Sequence, residues 1–125
     1  MIHLDTSFLI RALIPQSTQD QQLRQWLREG ETLVISSIAW TELRCGPIDT
    51  ACVELARRVV TEVLPYLEED ATLAAELFNK SGRRRGSLID CMIAAVALRE
   101  GAPVATANPA DFRRFEEGGL QVVVA

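Results

Sequence analysis

Residues 87–106 read SLIDCMIAAVALREGAPVAT. From Leu88 to Leu98 every residue except Asp90 is apolar, the pattern of a helix buried nearly all round. That helix, over Leu88–Arg99, leads into a short apolar strand over Pro103–Thr106. Outward in both directions the same alternation recurs. Strands are expected at Ile2–Leu4, Thr32–Ile35, Val63–Tyr66 and Gln121–Val124. Helices are expected at Phe8–Leu13, Thr18–Arg28, Ile38–Cys45, Thr50–Val60 and Ala71–Lys80, with Gly30 and Gly46-Pro47 as breakers. Short strands separated by helical crossovers imply an α/β three-layer sandwich, a central parallel sheet with helices on both faces. In such sheets, sites form beyond the carboxyl ends of the strands.

Composition agrees and excludes other classes. The 125 residues suit one domain over residues 1–125. Mean hydropathy of +0.09 with 24% charged residues is not the composition of a disordered chain. No apolar run approaches the ~18–20 residues of a membrane span. Met1-Ile2-His3-Leu4-Asp5 lacks the basic and apolar regions of a signal peptide. Cys45, Cys52 and Cys91 fall in apolar helical patterns without Cys-x-x-Cys spacing, so they read as reduced core thiols of a cytoplasmic protein. A net charge of −4 argues against a simple cationic nucleic-acid binder.

The distribution of the acids matters more than their number. Asp5 closes the first strand; a helix cap is its ordinary reading, and a site beyond a strand end its functional one. Glu42 has Ile38, Ala39 and Cys45 at helical spacing, so it is expected on an apolar face, where a carboxylate needs an arginine or a metal. Asp90 interrupts the most apolar helix, unless Ser87 and Asp90 form a capping box. Asp111 follows the fourth strand in Thr106-Ala107-Asn108-Pro109-Ala110-Asp111-Phe112, a sequence that also starts a short helix. Two carboxylates ~5 Å apart at an effective dielectric of ~20 repel by about 3 kcal/mol. Four together call for a divalent cation, and an all-oxygen donor set favours Mg²⁺ or Mn²⁺ over zinc. A metal so held suits phosphodiester hydrolysis. Setting those four acids aside leaves thirteen acids against thirteen bases.

Leu4-Asp5-Thr6-Ser7, Trp40-Thr41-Glu42-Leu43, Asp90-Cys91-Met92-Ile93-Ala94-Ala95 and Thr106 to Phe112, in this order and over this length, resemble the PIN-domain ribonucleases, most closely VapC toxins of toxin–antitoxin pairs. The resemblance implies a Mg²⁺- or Mn²⁺-dependent endoribonuclease, a homodimer, an RNA substrate and a cognate antitoxin whose tail occupies the active-site groove. It matches Asp5, Glu42 and Asp90 to the family's three firmest acidic positions, and Asp111, with Asn108 beside it, to the variable fourth. Thr6, Ser7 and Thr106 match hydroxyl residues that support the acids.

Arg83-Arg84-Arg85, between Gly82 and Gly86, is the densest positive charge and reads as a mobile loop that grips phosphate beside the Asp90 helix. Arg113-Arg114 makes a weaker claim of the same kind, and Arg57-Arg58 reads as a solvated helix face. His3 reads as a strand or surface residue rather than a general base. Trp26, Trp40 and Tyr66 are too few for a base-stacking platform. Phe8-Leu9-Ile10 and the helices from Leu43 to Leu55 offer apolar residues for core or for a partner. A receiver domain would need an acidic pair and a strand-end lysine, and a haloacid dehalogenase phosphatase an aspartate where Ser7 stands. A non-catalytic PIN-like module that only binds RNA or protein is the remaining alternative, against which the four acids count.

Overall fold

The computed structural model describes residues 1–124. Strands β1 (Ile2–Leu4), β2 (Leu33–Ser36), β3 (Glu62–Leu64), β4 (Val104–Thr106) and β5 (Val122–Val124) alternate with helices α1 (Thr6–Ala12), α2 (Thr18–Arg28), α3 (Ser37–Cys45), α4 (Thr50–Val59), α5 (Glu68–Lys80) and α6 (Leu88–Arg99). Two short 3₁₀ helices, Pro109–Asp111 and Arg113–Gly118, join β4 to β5. All pairings are parallel, in the order β3-β2-β1-β4-β5. The α/β sandwich read from the sequence is the fold observed.

Local chemistry sets the helix starts. Ser17, Ser36 and Asp49 side chains accept the Asp20, Ala39 and Cys52 backbone N–H groups at 3.0, 3.1 and 2.8 Å, satisfying donors that have no partner inside the helix. Asp70 accepts the Leu67 N–H at 2.8 Å, which locks the first turn of α5 at Glu68, before the expected start at Ala71. Asp70 is also the buried partner of Arg99, at 2.7 Å, while Arg99 donates to the Pro65 carbonyl at 3.0 Å. This ion pair bolts α5 to α6.

The strand order positions the site. Right-handed crossovers carry the chain from β1 through β2 to β3 and place α1–α4 on one face. The return from β3 to β4 runs the opposite way and places α5 and α6 on the other. The direction reverses between β1 and β4, and the crevice beyond their carboxyl ends is the switch point of the sheet. Helix α3 contacts both α1 and α6 and so closes one side of that crevice.

Phe8, Leu9, Leu33, Ile35, Phe112 and Phe115 are fully buried, and Phe8 packs on Trp26 with ring centroids 5.5 Å apart. Helix α6 is buried from Cys91 but not all round: Leu88 and Ile89 are exposed, because no element covers its first turn. The cysteines also depart from expectation. All three are free thiols, but only Cys91 is core; Cys45 is exposed and Cys52 partly so. His3 lies in β1, paired in register with Val34 and Val104, and is buried with neither ring nitrogen hydrogen-bonded. Among the described residues no helix is long and apolar enough to cross a membrane.

Candidate functional site

The switch point is built around Asp5. Its backbone is extended, at the N-cap of α1, but its side chain makes no cap hydrogen bond. It turns instead toward β4. Ser7 Oγ and Thr106 Oγ1 both donate to Asp5 Oδ2, at 2.7 and 2.9 Å. The Ala107 and Asn108 N–H groups donate to those same hydroxyls at 3.2 and 3.0 Å. The two hydroxyls also lie 3.3 Å from each other, but Asp5 Oδ2 is the nearer acceptor for both, so both protons converge on one carboxylate oxygen. Burial nevertheless pushes the Asp5 carboxyl above its ordinary value, against the Ser7 and Thr106 hydrogen bonds that hold it down.

The other acids approach from separate elements. Glu42, on α3, is exposed rather than on the buried stripe that its neighbours suggested. Its Oε1 accepts the Thr6 hydroxyl at 3.0 Å, with the Ala39 carbonyl at 3.2 Å as that hydroxyl's second acceptor. Partial withdrawal of its carboxyl from water raises its pKa, and Asp5 adds to the rise. Asp90, in the first turn of α6, is partly buried. The capping box does not form, since Ser87 Oγ donates to the Arg84 carbonyl at 2.6 Å. Burial pushes Asp90 up to about 7, with Asp111 and Asp5 adding to it, Arg114 opposing and Glu42 contributing least. Asp111 lies in the first 3₁₀ helix and lines the same cleft as Asp90. Asn108 is exposed, and its backbone rather than its side chain makes the contact with Thr106.

The four sequence-predicted acids therefore share one electrostatic neighbourhood. Among the described residues no three of them stand close enough to grip a metal ion between them. The donor set fits a hard cation of the Mg²⁺ type, which is held by one or two carboxylates and keeps several waters, better than an ion caged wholly by protein.

The basic rim is a more selective arrangement than the sequence suggested. Arg84, Arg85, Gly86, Ser87 and Arg114 line the cleft with Asp90 and Asp111. Arg83 does not: its guanidinium lies 5.5 Å over the Phe78 ring and bonds Asn79. The loop is also less free than its glycines implied. Gly82, Arg83 and Gly86 take left-handed φ of 89°, 53° and 84°, and Arg83 N–H to Phe78 O at 3.0 Å and Ser87 N–H to Arg84 O at 3.1 Å set its shape. Of the second pair, Arg113 is exposed and faces Glu116 at 3.5 Å, while Arg114 reaches the cleft, 3.6 Å from Asp90 Oδ2. Asp111 ends the first 3₁₀ helix and Arg114 lies in the second, so their meeting in the cleft is set by how the two helices join at Phe112, and no local period marks it.

Comparison with known proteins places the chain beside one family. A PIN domain family model matches residues 2–118. VapBC2 from Rickettsia felis, solved bound to a DNA fragment from their promoter, superposes with a TM-score of 0.78 at 20% identity, covering 100% of this chain and 99% of that one. VapBC-1 from nontypeable Haemophilus influenzae gives 0.73 at 25%, covering 99% and 98%. VapC20 from Mycobacterium tuberculosis, a sarcin-ricin loop cleaving toxin, gives 0.61 at 18%, covering 83% and 87%.

Proposed function

Because the chain belongs to the PIN domain family, we propose that it is the toxin of a toxin–antitoxin pair, a Mg²⁺- or Mn²⁺-dependent endoribonuclease acting on a structured cellular RNA. The observation that carries this reading is one cleft lined by Asp90 and Asp111 together with Arg84, Arg85 and Arg114, with Asp5 and Glu42 near enough to raise the pKa of Asp90. Acid and base side by side is the arrangement a phosphodiester requires. The anion is gripped by guanidinium groups while the carboxylates serve a cation and a water. Asp5 and Asp90, with Glu42 and Asp111 nearby, are the residues that would hold a divalent cation, which when bound would neutralise charge and acidify a water.

The remaining work belongs to the chain. Ser7 and Thr106 hold one oxygen of Asp5 and leave the carboxylate in a fixed orientation. Thr6 does the same for Glu42. His3 takes no part as a base, being buried within β1. An RNA-cleaving neighbour, VapC20, supports an RNA target, and neighbours solved as VapBC complexes support an antitoxin partner. Two apolar hollows, one beside Ile10, Ile14 and Ile48 and one beside Leu27, Leu55 and Val59, offer surface for antitoxin or for a second copy in a homodimer.

Induced expression followed by mapping of cleavage ends in total RNA tests the reading. A few discrete sites, lost in Asp5→Asn and Asp90→Asn and dependent on Mg²⁺ or Mn²⁺ in purified protein, are expected. Full activity in both variants would overturn the site, and RNA binding with no cleavage would leave the chain a binding module.

A further inference from the structure

Arg114 stands apart from the other arginines of the cleft. Arg84 and Arg85 are exposed on their loop, whereas the Arg114 side chain is only 17% exposed. Its guanidinium is seated 4.9 Å over the ring of Phe115, and Phe115 is itself buried and packed edge-on against Phe112 at 6.2 Å. So held, the group is rigid. Yet its donors are poorly used. Nε is buried with no hydrogen-bond partner, and the nearest acidic oxygen, Asp90 Oδ2, lies at 3.6 Å, close enough for attraction but beyond a good hydrogen bond. Nε is closed to the cleft, and a buried N–H without an acceptor costs roughly as much as a lost hydrogen bond; the group that faces Asp90, and that a ligand in the cleft can reach, is the outer end of the guanidinium. A planar fork of donors matches an acceptor with two oxygens on one centre, which in this cleft means phosphate.

We propose that Arg114 is the phosphate-binding residue of the cleft, with Asp90 as the neighbouring charge that attracts it, without a hydrogen bond, when no RNA is bound. The proposal rests on the ribonuclease reading and deepens it by naming the residue that grips the substrate backbone. Asp90 and a phosphate compete for the same guanidinium. Removing the charge on Asp90, by a cation or by substitution, hands Arg114 to the phosphate. Arg113, one residue away and turned outward, has no such part.

Equilibrium binding of a short single-stranded RNA, followed by fluorescence anisotropy in EDTA over a salt series, separates this role from a structural one. In the Asp90→Asn background, Arg114→Gln is expected to weaken binding roughly tenfold. It should also lower the slope of log K against log salt by about 0.7, the signature of one lost phosphate contact on a single strand. In the background that retains Asp90 the loss should be smaller, because Arg114 is already engaged. Arg114→Lys should keep the slope while losing affinity, and it serves as the test if Arg114→Gln proves unfolded by circular dichroism. Equal losses in the two backgrounds, or an unchanged slope, would overturn the proposal while leaving the ribonuclease reading intact. No RNA binding by any form would instead bring down the reading on which it rests.

Discussion

Thr106 donates to Asp5 across 101 positions of sequence, Oγ1 to Oδ2 at 2.9 Å. The bond ties the end of β4 to the end of β1 at the point where the sheet reverses direction. Replacing Thr106 with valine keeps the shape and removes the donor. It also leaves the Asn108 N–H without its acceptor. We expect a loss of about 1–3 kcal/mol in folding stability. Because one of the bonds holding the Asp5 carboxyl down would be gone, the acidic limb of the cleavage profile should move upward. Thr106→Ser should restore both. A pH–rate series with parallel urea melts checks this, and an unshifted profile would show that Thr106 does not govern Asp5.

Asp90 makes metal-free stability depend on pH. Its folded value, about 7, lies above its ordinary 3.8. The folded state therefore holds the proton more tightly, and the stability this gives below pH ~4 is shed as pH rises through 7. With Asp90 partly exposed, solvent screening limits the loss to about 1–2 kcal/mol. Thermal melts in EDTA should thus decline between pH 6 and 8, Mg²⁺ should restore the melting temperature at the upper end, and Asp90→Asn should flatten the decline. Melts that rise over this interval would contradict the geometry of the acids.

His3 works in the opposite sense. Burial first, then Arg99 and the N-terminal ammonium, lower it from 6.5 to about 4. The unfolded chain binds its proton first, so the contribution is complete above pH 6.5 and lost as pH falls through 4, to the extent of ~3 kcal/mol. His3→Leu removes two unpartnered nitrogens from the core and should stabilise the fold at pH 7 by about 1 kcal/mol. It should also weaken the acid transition. Denaturant titrations at pH 7 and pH 4.5 would reveal whether the acid sensitivity resides elsewhere.

Asp70→Ala offers a control far from the chemistry. Arg99, 18% exposed, would lose Asp70 but keep Glu100 at 2.8 Å and the Pro65 carbonyl at 3.0 Å, and the first turn of α5 would lose its anchor. Because the guanidinium keeps an acidic partner, the cost falls below that of a fully orphaned buried charge, at about 1–3 kcal/mol. Stability should fall by that much, while cleavage per folded molecule stays unchanged when assayed well below the melting temperature.

Much of this was legible in the residues because the strands are short and mostly apolar, and β1 and β2 are followed at once by the polar residues Asp5 and Ser37. Asp5 is the clearest instance, and Leu88–Arg99 was bounded correctly by its own composition. What stayed hidden depends on distant pairing. The exposure of Leu88 and Ile89 follows from the absence of a neighbour over the first turn of α6, which no local pattern records. Glu42 shares a helical face with apolar residues, but its side of α3 ends at the mouth of the crevice, not in the core. The choice of Arg114 over Arg113 turned on the junction of two 3₁₀ helices at Phe112, which no helical period marks. The paired hydroxyls on Asp5 required β1 and β4 to be neighbours, and their strand order is set by the crossovers between them.

The left-handed residues around Arg84 and Arg85 have one more consequence. The shape of that loop is written in its backbone, in Gly82, Arg83 and Gly86 and in two main-chain hydrogen bonds, not in the side chains that it presents. Positions 84 and 85 can therefore be exchanged one at a time without disturbing the acids below them. The cleft is in this respect a socket with replaceable contacts, whose rim can vary while Asp90 and Asp111 beneath it stay as they are.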